Sequence, residues 1–427
     1  MKTYSTFEYT EVKYEVGKDE RVNLEESKLY LTKDSIEYLE KLNIAQVFRS
    51  RIRFQNYVGV ISFRDLKLEI LPKFMKTSER LVEPEHVKGR ETILSNLVRM
   101  LEFSGWGGIR SADLTHLGTE RDFFEIYTYL FARNLANLLK TNRDAAYTSN
   151  YDELRFVRGR IDFRKYGNPA RLHRIPCHYY ERSTDTTINR TLKYVSFLLL
   201  KKVESAETRR LLKLIISILD SAQLTPVSVS EIERIVFNRL NSSFEPYVNF
   251  CKVFLQNSIL SLQSSDVEFF SFLIPMEVLF ERFIARAVED TVGDNYKIKI
   301  QPYAGYLARR DGRGIFALQP DIILEGEETK IIVDTKYKLL NPEDRKLGVS
   351  QQDLYQMYAY CKELNSKRCV LLYPEGVNGE IKQDFKLGKD EIDLHVRTVS
   401  LEYPFEGDKL SEDFKGALIE AIGIKPW

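Results

Sequence analysis

The chain has 427 residues, 43% of them hydrophobic and 29% charged, with a net charge of +1. This balance fits a globular protein of two or three domains and excludes a global basic field for nucleic acid, leaving that role to local patches. No run approaches the roughly 18 uncharged apolar residues that span a bilayer, and Met1-Lys2-Thr3-Tyr4 leads into charged residues rather than an apolar signal core, so a cytoplasmic protein without membrane association is expected.

Along the chain there is no long repeat and no low-complexity segment. Phe7 to Val16 alternates with period two, Thr32 to Leu42 reads as a capped helix, and Ile52 to Phe63 is rich in aromatic and β-branched residues. Leu66, Leu68 and Ile70 alternate with Lys67 and Glu69 in a strand that Pro72 closes. Helical spacing follows at Glu91 to Phe103 and Phe123 to Leu139, then at Asn189 to Lys202, Thr208 to Asp220 and Glu231 to Leu262. Beyond these, Pro275 to Val292 predicts a helix with Met276, Leu279, Phe280, Phe283 and Ala287 on one face, and Tyr296 to Ile300 a strand. Gly314 to Leu324 and Lys330 to Tyr337 predict two strands joined by the polar turn at 325–328; Ser350 with Asp353 caps a helix to about Leu364, and Arg368 to Tyr373 is a further strand. The expected architecture is a multidomain α+β chain: a β-rich N-terminal domain over residues 1–150, a mainly helical connecting region over 151–270, and a C-terminal α/β domain with one mixed sheet over 271–427.

The chemistry concentrates in this last part. Asp334 and Lys336, two apart on a strand, project to one face with Thr335 on the other, and a hairpin through the acidic turn brings Asp321 alongside them. Two adjacent carboxylates repel, and a hard divalent cation resolves the conflict: Mg²⁺ (or Mn²⁺) is held by one or two carboxylates together with waters and substrate phosphate. The bound ion polarises a phosphate and acidifies a water, and Lys336 can position that water and offset transition-state charge, which points to phosphodiester hydrolysis. Taken alone, an Asp-x-Lys strand end is an ordinary solvated ion pair; the preceding helix, Pro320-Asp321 and the flanking apolar strands give the pattern its specificity. Glu281, beside the apolar stripe of its helix, either reaches the metal or a water or pairs with a neighbouring basic side chain. Gln356 and Tyr360, one turn apart on a helix, contact DNA phosphate, support the lysine, or simply decorate a helix surface.

Other residue types add candidates and remove some. Arg309, Arg310 and Arg313 precede Asp321 and suit DNA backbone binding. Arg155, Arg158, Arg160, Arg164, Lys165, Arg171 and Arg174 form a basic run against Asp162, usable for phosphate contacts or for an ion-pair network; Arg49, Arg51 and Arg53 suit DNA or an acidic partner. The Gly105 to Gly108 run reads as a tight turn anchoring Trp106, with partner docking the alternative. Cys177, Cys251, Cys361 and Cys369 form no CxxC pair and read as buried reduced thiols, and no histidine has a partner at ligand spacing.

Asp321, Asp334 and Lys336, with Glu281 and the Gln356-x-x-x-Tyr360 pair, resemble the PD-(D/E)xK nuclease superfamily, including its RecB-like branch. Several further segments add to this: Tyr57-Val58-Gly59-Val60-Ile61, Leu68-Glu69-Ile70-Leu71-Pro72-Lys73-Phe74 and Arg158-Gly159-Arg160-Ile161-Asp162-Phe163, then Tyr180 to Arg190 with its Asp185-Thr186-x-x-Asn189-Arg190, and Leu279-Phe280-Glu281. Together with them the chain resembles the McrC family, the nuclease subunits of McrBC-type modification-dependent restriction systems; about forty N-terminal residues precede the first matching segment, and there the resemblance is weak. The resemblance implies a PD-(D/E)xK core, a Mg²⁺-dependent endonuclease acting on double-stranded, methylated DNA in phage defence, and a McrB-like AAA+ GTPase ring as partner. It further implies that the N-terminal domain docks in that ring and stimulates GTP hydrolysis, and that a second copy supplies the second nick of a double-strand break. The chain lacks a GxxxxGK[ST] phosphate loop, so GTP hydrolysis belongs to the partner. Two other readings stay open: a stand-alone RecB-like DNA-processing nuclease, and a catalytically idle nuclease fold that acts as an adaptor of the motor.

Overall fold

The computed structural model of the chain describes residues 1–42, 44–106, 121–166, 173–262, 268–293, 295–327, 329–389 and 391–424. These form mixed α/β structure in two compact units: Met1–Tyr127 with Asn257–Trp427, and Thr128–Gln256. The pattern along the chain suggested three successive segments; in space the first and last parts of the chain share one unit.

The first unit carries three principal sheets. Glu11–Val16 belongs to a small five-stranded sheet with Arg21–Asn23, Lys28–Leu31, Arg51–Phe54 and Ala45–Val47, whose Val12, Leu29, Leu31, Ile52 and Phe54 pack with Tyr38 and Leu39 of the helix Lys33–Leu42. Lys2–Phe7 instead joins a second five-stranded sheet in the order Lys2–Phe7, Leu66–Leu71, Tyr57–Ser62, Glu268–Pro275, Ser258–Leu262. The expected strand from Phe7 to Val16 is therefore two strands in different sheets, split at Tyr9, which adopts a left-handed φ of 61°. Ile52 to Phe63 divides in the same way, turning at Asn56 with a φ of 58°. Gly59 is required where it stands: its φ is 136°, and a Cβ would lie 2.1 Å from the Phe272 carbonyl oxygen on the neighbouring strand.

In Leu66–Leu71 both faces are buried, so the alternation of Leu and charge does not mark an inside and an outside. Lys67 pairs with Asp122 at 2.9 Å, and Glu69 takes both Nε and Nη2 of Arg90 at 2.9 Å, the Ser5 hydroxyl at 2.8 Å and the Phe123 amide at 3.1 Å. These buried charges tie the strand to the starts of the helices Arg90–Phe103 and Phe123–Thr141, which is how they are tolerated.

The third sheet is six-stranded and mixed, in the order Lys297–Ile300, Ile322–Glu325, Lys330–Thr335, Arg368–Pro374, Ile392–Val399, Lys382–Leu387. Ile322–Glu325 and Lys330–Thr335 form the expected hairpin, with Ile322 opposite Val333, while Lys330–Thr335, Arg368–Pro374 and Ile392–Val399 run parallel. The central strands are buried on both faces, as parallel strands covered by helices are. The helix Gln351–Glu363, opened by the expected Ser350–Asp353 capping box, packs Met357 and Tyr360 on Ile332, Leu371, Leu394 and Val396; the helices Met276–Val292 and Glu412–Ile422 also pack on this sheet. The expected strand from Gly314 to Leu324 is broken at Gln319-Pro320-Asp321: Arg313–Leu318 pairs back on Gly305–Arg310 as a separate hairpin, because Pro320 donates no ladder hydrogen bond.

The second unit is not wholly helical. Ala146–Leu154, Arg160–Ile161 and Ile175–Ser183 form an antiparallel sheet that periodicity missed, since its long strands are mostly exposed and carry no apolar alternation. The helix expected over Glu231 to Leu262 is also broken, into Val229–Glu233, Glu245–Asn257 and the strand Ser258–Leu262. Asn238 and Asn241 interrupt it by accepting nearby backbone N–H bonds at 2.8 and 2.7 Å. All four cysteines are buried.

Candidate functional site

The site lies at the ends of the Ile322–Glu325 and Lys330–Thr335 hairpin. Asp321 stands one residue before the first strand, so its carboxylate reaches across: Oδ2 accepts both the backbone N–H and the hydroxyl of Thr335, each at 2.7 Å. Thr335 was expected to face away from the site. It serves instead as the clamp of Asp321, because Asp321 has left the ladder and its carboxylate meets the neighbouring strand from the side. Asp334 is 1% exposed, and its Oδ2 lies 2.6 Å from Lys336 Nζ. The two form a largely buried ion pair. Lys336 turns its Nζ to Gln356 Oε1 at 3.1 Å; Gln356 Nε2 donates to the Tyr360 hydroxyl at 2.7 Å, and Tyr360 donates to the Gln319 carbonyl at 3.0 Å. The helix pair Gln356 and Tyr360 therefore supports the lysine.

The electrostatics follow from this packing. Burial pushes the Asp334 carboxyl up to about 7, with the Asp321 charge adding to the shift and Lys336 opposing it. Asp321 is also raised, by burial, against the Thr335 hydrogen bonds and Lys336. Burial alone would lower Lys336, but Asp334, Asp321 and Asp353 outweigh it and hold the ammonium above its ordinary value. Glu281 projects from the helix Met276–Val292, accepts a hydrogen bond from Gln301 Nε2, and is raised by burial and by the Asp321 charge. Asp321, Asp334, Lys336 and Glu281 thus form one interacting group.

Gln301, Gln319 and Asp353 belong to this neighbourhood as well, although the residue pattern did not single them out for it. Gln301 occupies the left-handed region with φ 46°, donates its N–H to the Asp321 carbonyl at 2.8 Å and takes Gln319 Nε2 on its own carbonyl at 3.0 Å. A non-glycine residue in that region leaves no local sequence signal, so only the assembled chain reveals it. Asp353 pairs with Lys338 at 3.2 Å while capping its helix.

Two neighbouring buried carboxylates, both with raised affinity for protons, suit a divalent cation better than they suit each other. Among the described residues no three Asp, Glu, His or Cys side chains enclose a metal position by themselves. An ion held by Asp321 and Asp334 would need water or substrate oxygen to complete its shell.

The basic candidates are distributed differently. Arg309, Arg310 and Arg313 lie on the Gly305–Leu318 hairpin that leads into Asp321, with the Arg310 side chain 82% exposed. Arg158 and Arg160 belong to the second unit, where Arg158 lies 3.3 Å from Glu181 and 4.1 Å over the Tyr179 ring. Gly159 between them needs its φ of 69°, since a Cβ would come within 2.3 Å of the His178 carbonyl. Arg51 pairs with Glu11 at 2.5 Å and Arg53 donates to Gln46 at 2.6 Å, so these two are engaged within their own sheet. Trp106 stacks under Arg282 at 5.3 Å; Gly107, Gly108 and Arg171 lie outside the described residues, as does Glu328 of the polar turn.

A family model described as "McrBC 5-methylcytosine restriction system component" matches residues 52–374 of the chain. No curated protein matches it significantly. Among solved structures, a chain of the refined half-complex from the tetradecameric assembly of Thermococcus gammatolerans McrB AAA+ hexamers with bound McrC aligns at TM-score 0.65 and 19% identity, over 98% of this chain and 99% of that one. A chain of the cryo-EM structure of the Thermococcus gammatolerans McrBC complex aligns at TM-score 0.50 and 21% identity, over 68% of this chain and 88% of that one. At these identities the likeness is one of fold, and it extends along nearly the whole length in the first case. With a family model spanning well over half of its residues, the chain belongs to the McrBC 5-methylcytosine restriction system component family.

Proposed function

We propose that the chain is the McrC-like nuclease subunit of a modification-dependent restriction system, a Mg²⁺-dependent endodeoxyribonuclease of PD-(D/E)xK type that cuts methylated duplex DNA with an AAA+ GTPase ring. The observation that carries this reading is the convergence of Asp321, Asp334 and Lys336 at one end of a mixed sheet in a chain of this family. The Thermococcus gammatolerans structure of similar fold is described as McrB AAA+ hexamers with bound McrC, which supports a McrB-like AAA+ ring as partner; GTP hydrolysis would fall to that ring, since this chain carries no phosphate-loop motif. A second copy of the chain would supply the second strand cut.

Asp321 and Asp334 would hold the cation, with Glu281 near enough to bind a water at its edge. A bound Mg²⁺ supplies Lewis-acid polarisation of the scissile phosphate and a more acidic water. The chain's own residues do the rest. Thr335 and Gln301 fix Asp321 from its side chain and its backbone. Lys336 carries a permanent positive charge toward the phosphate, and Gln356 and Tyr360 restrict the rotamers it can adopt. The Arg309, Arg310 and Arg313 hairpin, exposed and leading into the site, suits the DNA backbone.

Cleavage of methylated and unmethylated plasmid with Mg²⁺ tests this, comparing the chain alone, the chain with its motor and GTP, and Asp334→Ala. Cutting of methylated plasmid only with motor and GTP, abolished by Asp334→Ala, is the expected result. Cutting by the chain alone would make it a stand-alone nuclease; unchanged cutting by Asp334→Ala would remove the metal site.

A further inference from the structure

Immediately after Lys336 the backbone makes a tight turn, in which the Lys338 N–H donates to the Lys336 carbonyl at 2.9 Å. The residue inside that turn, Tyr337, is held at both ends by residues from the other end of the chain. Its carbonyl accepts Lys73 Nζ at 2.8 Å, and its hydroxyl donates to Glu8 Oε2 at 2.6 Å. The same Glu8 oxygen accepts the Lys73 backbone N–H at 3.1 Å. The Lys73 ammonium lies 4.0 Å from the centre of the Tyr337 ring and 4.4 Å from that of Tyr9, while Phe74 and Phe280 pack against the Tyr337 ring. Glu8, Lys73 and Tyr337 are all buried, with exposures of 0%, 3% and 3%.

A buried lysine and glutamate are costly features, and core packing alone would be served as well by apolar side chains of the same size. What this pair achieves is directional: two charge-assisted bonds fix the carbonyl and the hydroxyl of one residue, which sets the path by which the chain leaves the strand carrying Asp334 and Lys336. We propose that Lys73, oriented by Glu8, is a positioning residue for Lys336, holding the turn at Tyr337 so that the Lys336 ammonium stays on the face shared with Asp334 and Gln356. This rests on the nuclease reading of the Asp321, Asp334 and Lys336 site. Lys73 acts on the site through the backbone of Tyr337. The Leu68 to Phe74 segment thereby has a role beyond its own sheet: its strand packs the core, and Lys73, two residues past the strand, positions the site.

The test compares Lys73→Met with Lys67→Met, a substitution of another buried lysine, whose ion pair with Asp122 lies elsewhere in the same unit. Both lose a buried charge, so both are expected to lower the melting temperature. Cleavage by the complex with its motor is then measured well below each melting point and normalised to folded protein. Lys73→Met is expected to lose about ten- to a hundredfold in kcat with KM for DNA unchanged, whereas Lys67→Met keeps kcat within about twofold. A second readout needs neither metal nor activity: hydrogen exchange of the 334–340 segment in the metal-free chain, expected to accelerate in Lys73→Met and not in Lys67→Met. If Lys73→Met does not fold, Tyr337→Phe, which keeps the ring and loses only the bond to Glu8, takes its place with a smaller loss in the same two measurements. Equal kcat losses in the two lysine variants, or unchanged exchange at 334–340, would overturn the proposal. Failure of the nuclease reading is separable: it would show as no cutting by the unaltered complex or as unchanged cutting by Asp334→Ala, whereas the exchange at 334–340 reports on Lys73 in either case.

Discussion

Asp334 sits where burial, a neighbouring carboxylate and a lysine act on one group, and the sum favours its protonated form up to about pH 7. The sign of the consequence follows from linkage: a carboxyl whose folded value is raised stabilises the fold fully below the ordinary carboxylate range, and that contribution disappears as pH rises through about 7. In chelator, the melting temperature of the chain is expected to fall between pH 5 and 8 more steeply than that of Asp334→Asn, which cannot ionise. Adding Mg²⁺ or Mn²⁺ at pH 8 is expected to restore it, since the cation takes the place of the proton. A wild-type curve as flat as that of Asp334→Asn would mean that Asp334 is already ionised in the metal-free fold. Nearby, Lys336 keeps its charge throughout, because three carboxylates outweigh its burial. The Asp-x-Lys spacing was legible in the sequence; the value of Asp334 was not, since it depends on Asp321 arriving from another strand and on the depth of the packing.

At the scale of elements, the strand Leu66–Leu71 shows how far packing can override local pattern. Alternation of leucine with lysine and glutamate reads as one buried and one solvated face, yet both faces are buried and the charged residues became internal anchors. Glu69 gathers Arg90, Ser5 and the Phe123 amide, so it joins the strand to two helix starts. Removing one partner of such a pair leaves an uncompensated buried charge, and Arg90→Met is expected to destabilise the chain by roughly 3–5 kcal/mol. Denaturant unfolding reads this directly; a loss under about 1 kcal/mol would put the pair in the class of exposed ion pairs. Elements with strong local signals came through at close to their expected bounds: the helices Lys33–Leu42, Arg90–Phe103 and Met276–Val292, and the helix capped by Ser350 and Asp353. Those that failed, such as the helix expected over Glu231 to Leu262, failed where polar side chains captured the backbone.

For the whole molecule, a net charge of +1 means that DNA affinity has to come from particular surfaces. The Gly305–Leu318 hairpin, with Arg309, Arg310 and Arg313 leading into Asp321, is the surface proposed for this. Replacing the three arginines with alanine in an Asp334→Ala background is expected to weaken duplex binding uniformly across sequences. It is also expected to flatten the slope of log K against log salt by up to about 0.9 per lost phosphate contact. An unchanged slope would mean that other cations face the backbone, with Arg158 and Arg160 of the second unit next in line.

The sequence by itself determined the features with strong short-range signals: the helices Lys33–Leu42, Arg90–Phe103 and Met276–Val292, the capping of the helix Gln351–Glu363, the pairing of Ile322–Glu325 with Lys330–Thr335 through a polar turn, and hence Asp321, Asp334 and Lys336 as the candidate site. These follow from periodicity and spacing over a few residues, and the family resemblance added to them. The tertiary structure alone decided what surrounds that site. Lys73 and Glu8 reach Tyr337 across 264 and 329 residues of chain, Gln301 enters through a left-handed backbone conformation, and Thr335 turns out to hold Asp321. Such partners leave no trace in local pattern, because which strands become neighbours, and therefore which polar groups must be satisfied in the interior, is settled only when the sheets have assembled.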